Sequence, residues 1–249
     1  MISITLNIEE KNYGSETPVL GSLRGQIKPG KITAIVGPSG CGKSTLLNMI
    51  AGLESSQKGE IGFSNVSEEK PRVGYIFQSP RLMPWLTAKE NLELIAGKNN
   101  PAIQETLSAM GILDKLDSYP AQLSGGMQRR VSIARAFVYH PELLLLDEPF
   151  TSLDAPTADQ LRQQLIALWQ RQQSTMVFVT HDLREAISLA DEIWFLSRPP
   201  TTVIHRMEID QPSERWLGRD NGRKRIDDIV ANMFSMHPHI LTGVLDAGA

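Results

Sequence analysis

Eight residues from Gly37 to Ser44, GPSGCGKS, restrict what the chain around them can be. They fit the pattern G-x-x-x-x-G-K-[ST]. They follow a short apolar run, ITAIVG, that ends in glycine as a buried strand does. They open a segment, KSTLLNMIAG, that reads as a helix closed at Gly52. Strand, glycine-rich loop and helix in that order form the setting in which this pattern builds a phosphate cradle. Gly37, Gly40 and Gly42 let the backbone curl, so that several N–H groups of the loop point inward at phosphate oxygens. Pro38, Ser39, Cys41 and Thr45 complete the candidate phosphate-binding stretch. Lys43 can neutralise β- and γ-phosphate charge, Ser44 can offer its hydroxyl to Mg²⁺, and the helix N-terminus adds its dipole. Cys41, beside that helix start and Lys43, is expected to lean toward the thiolate.

The rest of the chain extends this unit. ISITLNIEE alternates apolar and polar residues as a strand does, and GEIGFS and RVGYIFQ read as further strands. From about residue 81 to residue 140 the pattern turns helical, in TAKENLELIAG, PAIQETLSAMG and GMQRRVSIARAFVYH. ELLLLD and TMVFVTH then return as buried strands around the helix PTADQLRQQLIALWQRQQ, and DEIWFLS with TTVIHRMEI reads as a terminal hairpin joined through RPP. Alternating strands and helices imply a parallel sheet covered on its faces by helices. A length of 249 residues suits one such domain with an insertion. The tail from Gln211 is polar, carries one helical stretch, RKRIDDIVANMF, and is too short for a further full domain.

Bulk properties exclude several classes. A net charge of −3 makes no case for a nucleic-acid binder. The single cysteine excludes an internal disulfide framework and fits a reducing compartment. No stretch approaches the roughly 20 apolar residues that span a bilayer, and the N-terminus lacks the basic start of a signal peptide. A protein of this kind can serve a membrane only by docking on another subunit.

Further residues carry chemistry. The buried strand LLLLD ends at Asp147, which can hold Mg²⁺ through water, and Glu148 can reach a water near the γ-phosphate. His181 ends the apolar strand TMVFVT, where parallel strands face their ligand crevice, and can hydrogen-bond a γ-phosphate oxygen or the attacking water. Gln78 follows RVGYIF; its neutral amide can touch Mg²⁺ or water without adding charge. Tyr13, in KNYGSE, offers an aromatic face to an adenine, or is an ordinary loop tyrosine. LSGGM contains a second cradle: Ser124 suits a helix N-cap, and Gly125 and Gly126 leave N–H groups open. In isolation this stretch reads better as a plain capped helix, because it has no lysine to complete a nucleotide site.

In this order, Tyr13, the loop at 37–45, Gln78, LSGGM, LLLLDEP, SLD at 152–154 and His181 resemble the nucleotide-binding subunit of an ABC transporter across roughly residues 1–210. The resemblance implies an α/β fold: a P-loop NTPase (RecA-like) core with an N-terminal antiparallel β subdomain and an inserted helical subdomain. Core and β subdomain would take residues 1–80 and 141–210, the helical subdomain 81–140, and the tail 211–249. It implies an ATPase using ATP and Mg²⁺, with Lys43, Glu148 and His181 catalytic and with Ser44, Gln78 and Asp147 at the metal. It implies a head-to-tail homodimer in which Ser124, Gly125 and Gly126 complete the partner's ATP site and Asp154 lies on a loop crossing the interface. Met127 and Gln128 stand where many members carry Gln first.

RVGYIFQSPRLMPWLTAKENL and DEPFTSLDAPTADQLR are similar to the nitrate/sulfonate/taurine group of bacterial importers. That likeness implies two transmembrane permease subunits, a periplasmic or surface solute-binding protein, and a peripheral position on the cytoplasmic face of the bacterial inner membrane. Leu82, Met83, Trp85 and Leu86 would then help form the groove for a permease helix. An exporter ATPase and a soluble, non-transport ABC ATPase are the alternatives. The importer-like SPRLMPW segment counts against the first, and the short helical insertion with a single phosphate loop against the second.

Overall fold

Apolar residues on successive positions of three strands feed two separate cores. In β3 (Ile32–Val36), Ile32, Ala34 and Val36 face one core and Ile35 the other. β6 (Leu143–Asp147) sends Leu144 and Leu146 one way and Leu143 and Leu145 the other; β7 (Thr175–Thr180) divides Met176 and Phe178 from Val177 and Val179. A sheet buried on both faces needs such continuous apolar runs. The computed structural model describes residues 1–14, 17–56, 58–210 and 220–244.

These strands form the middle of a six-stranded sheet. The others are β5 (Val73–Ile76), β8 (Glu192–Leu196) and β9 (Val203–Glu208), and the order is β5-β6-β7-β3-β8-β9. All pairings are parallel except the β8–β9 hairpin. A second sheet is antiparallel, with β1 (Ser3–Glu10) between β2 (Leu23–Ile27) and β4 (Lys58–Ser64). Its inward residues Ile4, Leu6, Ile8, Leu23 and Ile27 pack with Leu46, Leu47 and Ile50 of α1 (Lys43–Ile50) over one face of the larger sheet.

Between β5 and β6 run α2 (Ala88–Ala96), α3 (Ala102–Ala109) and α4 (Gly125–Phe137). The start of α2 is set by a reciprocal cap: Thr87 accepts from the Glu90 N–H, and the Glu90 carboxylate accepts from the Thr87 N–H. Asn91, fully buried, bonds the backbone of Met83, Leu86 and Thr87 and so shapes the segment before α2. α5 (Ala155–Gln172) joins β6 to β7, and α6 (Leu183–Leu189) joins β7 to β8. α7 (Asp220–Met236), in the tail, buries Ile226 and Met233 and pairs Asp227 with Arg184 of α6. The tail's remaining stretches, 211–219 and 245–249, lie outside the described residues. Among the described residues no helix is long and apolar enough to cross a membrane.

Candidate functional site

Parallel pairing aligns the C-terminal ends of β5, β6, β7 and β3 along one edge, where such sheets bind their ligands. The phosphate-binding loop leaves β3 there. Gly42 has φ of 91°, and a Cβ on it would come within 2.8 Å of both Val19 and Leu20, so glycine is required twice over. Lys43, only 7% exposed, donates to the carbonyls of Gly37 and Pro38 at 2.9 Å each. Tyr13, Ser39, Gly40, Lys43, Ser44 and Thr45, with Val19, Gly42 and Glu148, line a cavity of about 400 Å³.

Ser44 donates to Asp147 Oδ1 at 3.1 Å. Burial raises the Asp147 carboxyl above its ordinary range and nearby Glu148 adds to this, while the Ser44 hydrogen bond and Lys43 pull it back. A half-buried carboxylate beside a hydroxyl is hard-oxygen chemistry suited to Mg²⁺, which commonly takes one or two carboxylates and completes its shell with water and phosphate. Glu148 follows at φ of 44°, and its N–H donates to Val179 O at 3.1 Å. Its Oε2 lies 3.3 Å from His181 Nδ1 and accepts from Thr151 Oγ1 at 3.1 Å. Residues 33 positions apart in the chain thus meet because β6 and β7 are neighbours, with Asp147 opposite Val179.

The other expected residues are placed less directly. Tyr13 stands at the cavity rim, 58% exposed; its hydroxyl meets the Glu54 carboxylate and lies 3.4 Å from Thr45 Oγ1, and Lys11 Nζ is 4.7 Å from its ring centre. Gln78 is exposed two residues beyond β5 and is held through its backbone: Arg129 of α4 donates to Phe77 O at 2.6 Å and to Gln78 O. Asp154 caps α5, accepting from Thr157 N at 3.0 Å and Thr157 Oγ1 at 2.7 Å, which keeps its carboxyl below the usual range. Ser124 caps α4, accepting from Met127 N at 3.3 Å, and neither it nor Gly125 or Gly126 lines the phosphate cavity of its own chain. Of the apolar quartet, Trp85 is 70% exposed while Leu82 packs against the core.

One expectation is reversed. Cys41 is fully buried, and desolvation raises its thiol above the ordinary value despite the opposing pull of Lys43. The helix start does not offset removal from water, so this is an inert packing thiol.

Three contributors carried no motif: Thr151, which donates to Glu148, Glu54, which meets the Tyr13 hydroxyl, and Thr201. The buried Thr201 donates to Cys41 O at 2.6 Å and so ties the phosphate loop to the β8–β9 hairpin. A further cleft of about 480 Å³, lined by Arg72, Glu142 and Ser174 among others, opens at the opposite end of the sheet, where β6 and β7 begin. The motif residues, not volume, locate the site.

Behind His181 lies Glu185, 7% exposed, in the first turn of α6. Burial drives its carboxyl from an ordinary 4.5 up to about 7, against the pull of the Thr180 hydroxyl and of Arg162, whose Nε is 3.8 Å away. The native state therefore holds this proton more tightly than the unfolded chain. The resulting stabilisation is complete below pH 4.5 and is lost as pH rises through about 7. Relative to wild type, Glu185→Gln should gain up to about 3 kcal/mol between acid and pH 8, read as the difference in urea-unfolding free energy. A difference that stays flat with pH would show an unshifted carboxyl.

Comparison with known proteins fits this geometry. A family model described as ABC transporter matches residues 20–151. The aliphatic sulfonates import ATP-binding protein SsuB of Bacillus subtilis (strain 168) is 39% identical over 217 residues, 84% of this chain and 85% of that protein. SsuB 1 of Xanthomonas axonopodis pv. citri (strain 306) is 36% identical over 246 residues, 94% of this chain and 97% of that protein. Among solved structures, the dimeric bacterial ABC transporter cassette MJ0796 matches with a TM-score of 0.71 at 31% identity, over 83% of this chain and 98% of that one. Its post-hydrolysis dimer bound to ADP and Pi matches with the same TM-score at 30% identity. Motif order, sheet topology and these likenesses agree: the chain belongs to the ABC transporter family, as one of its ATPases.

Proposed function

We propose that this chain is the ATP-hydrolysing subunit of an importer for aliphatic sulfonates, working as a head-to-tail homodimer beneath two permease subunits supplied by a solute-binding protein. Two copies would sit peripherally on the cytoplasmic face of the membrane. The observation that carries the ATPase reading is the meeting of Lys43, Ser44, Asp147, Glu148 and His181 at one sheet edge. The names of the SsuB relatives supply the solute class.

In this reading Lys43 leaves the carbonyls of Gly37 and Pro38 to neutralise phosphate charge. Ser44 and Asp147, with the Gln78 amide, hold Mg²⁺, which offsets charge on the β- and γ-phosphates when bound. Glu148 orients the attacking water and accepts its hydrogen bond, and His181 turns from Glu148 toward the γ-phosphate oxygens. Tyr13 takes the adenine on its ring.

The dimer is supported by Gly125. A Cβ there would meet nothing within 4 Å, and at Gly126 only an ordinary contact with Thr157 at 3.4 Å. Each glycine costs a helix about 1 kcal/mol relative to alanine. Among the described residues no packing requires either one, which fits bare N–H groups kept open for a partner's phosphate. Asp154, the N-cap of α5, would lie on the loop that crosses to that partner. Trp85, the exposed member of the quartet, would face the permease together with Met83 and Leu86.

The solute assignment is tested in proteoliposomes holding this chain with its permease subunits and binding protein. An alkanesulfonate should stimulate ATP hydrolysis, and nitrate should leave it at baseline. Stimulation by nitrate without any by alkanesulfonates overturns the solute class and leaves the ATPase reading standing.

A further inference from the structure

Glu148 is held by a residue outside the motif set. After β6 the chain reverses: Glu148 takes φ of 44°, and the Thr151 N–H donates back to Glu148 O at 3.3 Å. This tight turn brings Thr151 Oγ1 to 3.1 Å from Glu148 Oε2, the same oxygen that His181 Nδ1 approaches at 3.3 Å. Among the described residues, none hydrogen-bonds Oε1, and Glu148 lines the phosphate cavity. One carboxylate oxygen is therefore anchored and the other is left to the cavity. The two anchors differ in stiffness. The His181 side chain is 57% exposed on a loop after β7, whereas Thr151 belongs to the same turn as Glu148 and is the shorter tether.

We infer that Thr151 is a positioning residue for hydrolysis: its hydroxyl fixes the Glu148 carboxylate through Oε2 so that Oε1 faces the attacking water. The inference rests on the assignment of Glu148 made above. It also explains how the hold survives a turn of His181 toward phosphate, because Thr151 needs no change of partner. Thr151 begins the stretch TSLD that ends at Asp154, so a shift of that stretch on dimerisation would reach the carboxylate through this hydroxyl.

The test uses the full chain and MgATP. Thr151→Val keeps the β-branched shape and removes the donor; it should lower kcat about tenfold, the scale of a hydrogen bond to a charged group, and leave KM for ATP unchanged. Thr151→Ser restores the donor and should restore kcat. Thr151→Ala, which adds no methyl against the carboxylate, should match Val, so a folding defect peculiar to one variant cannot decide the result. In a Glu148→Gln background the Val substitution should bring no further loss in the residual single-turnover rate. Wild-type kcat in both Val and Ala, an equal loss in Ser, or an additive loss on Glu148→Gln overturns the role of Thr151. A wild-type rate in Glu148→Gln alone overturns the Glu148 assignment instead, and the inference falls with it.

Discussion

Glu148→Gln is expected to bind ATP, to hydrolyse it roughly 10²- to 10⁴-fold more slowly than wild type, and to accumulate as an ATP-bound dimer. Glutamine keeps the length and planarity of glutamate, so the cavity wall and the Thr151 contact at 3.1 Å can persist. What is lost is the negative charge that orients water and faces His181 Nδ1 at 3.3 Å. The backbone of residue 148 sits in the left-handed region, sparsely populated by non-glycine residues and costly by about 1–3 kcal/mol. The surrounding turn holds that conformation whichever side chain is present, so the substitution should not disturb the fold. Size-exclusion chromatography with and without ATP, together with phosphate release, reads both halves of the prediction. A monomeric, fully active variant would remove Glu148 from the mechanism.

The second large effect concerns the two cradles. One protomer carries Lys43→Ala with Ser124 intact; the other carries Ser124→Arg and Glu148→Gln with Lys43 intact. If each ATP site were built within one chain, both protomers would be crippled and their mixture would trap no nucleotide. If sites are shared, one composite site keeps Lys43 from the second protomer and Ser124 from the first, with hydrolysis slowed by Gln at 148. The mixture should trap up to about one ATP per heterodimer, as a head-to-tail two-fold arrangement requires. Neither protomer alone should do so. Replacing Ser124 removes an N-cap at a cost of about 1 kcal/mol, too little to unfold the chain, so the loss reports on the cradle. Trapping by either protomer alone, or none in a confirmed heterodimer, would show that α4 does not serve its neighbour's nucleotide.

Parts of this arrangement could be read without coordinates because the chemistry is local. The curl of residues 37–44 follows from glycines where the backbone takes positive φ or a side chain has no room: Gly40 meets the first condition and Gly42 both. β3, β6 and β7 were legible as unbroken apolar runs because both of their faces are buried. Two elements were not read. β2, LRGQI, is a five-residue edge strand with Gly25 at its centre, and its pairing with β1 depends on a partner some twenty residues away. α6 is seven residues long and too short to show a helical period, although Asp182 and Glu185 at its start carry the spacing of a helix cap.

Local sequence by itself determined the phosphate loop, the acidic strand end, the capped helix at Ser124 and the alternation that makes a parallel sheet. Only the tertiary structure decided that Thr151 and His181 share one oxygen of Glu148, that Thr201 ties down the phosphate loop, and that Cys41 is sealed from solvent. A motif encodes backbone geometry over a few residues, where sterics act between chain neighbours. Which side chains meet across strands, and which lose their water, depends on strand order and on the packing of helices over the sheet, and those are set by the whole apolar surface acting at once.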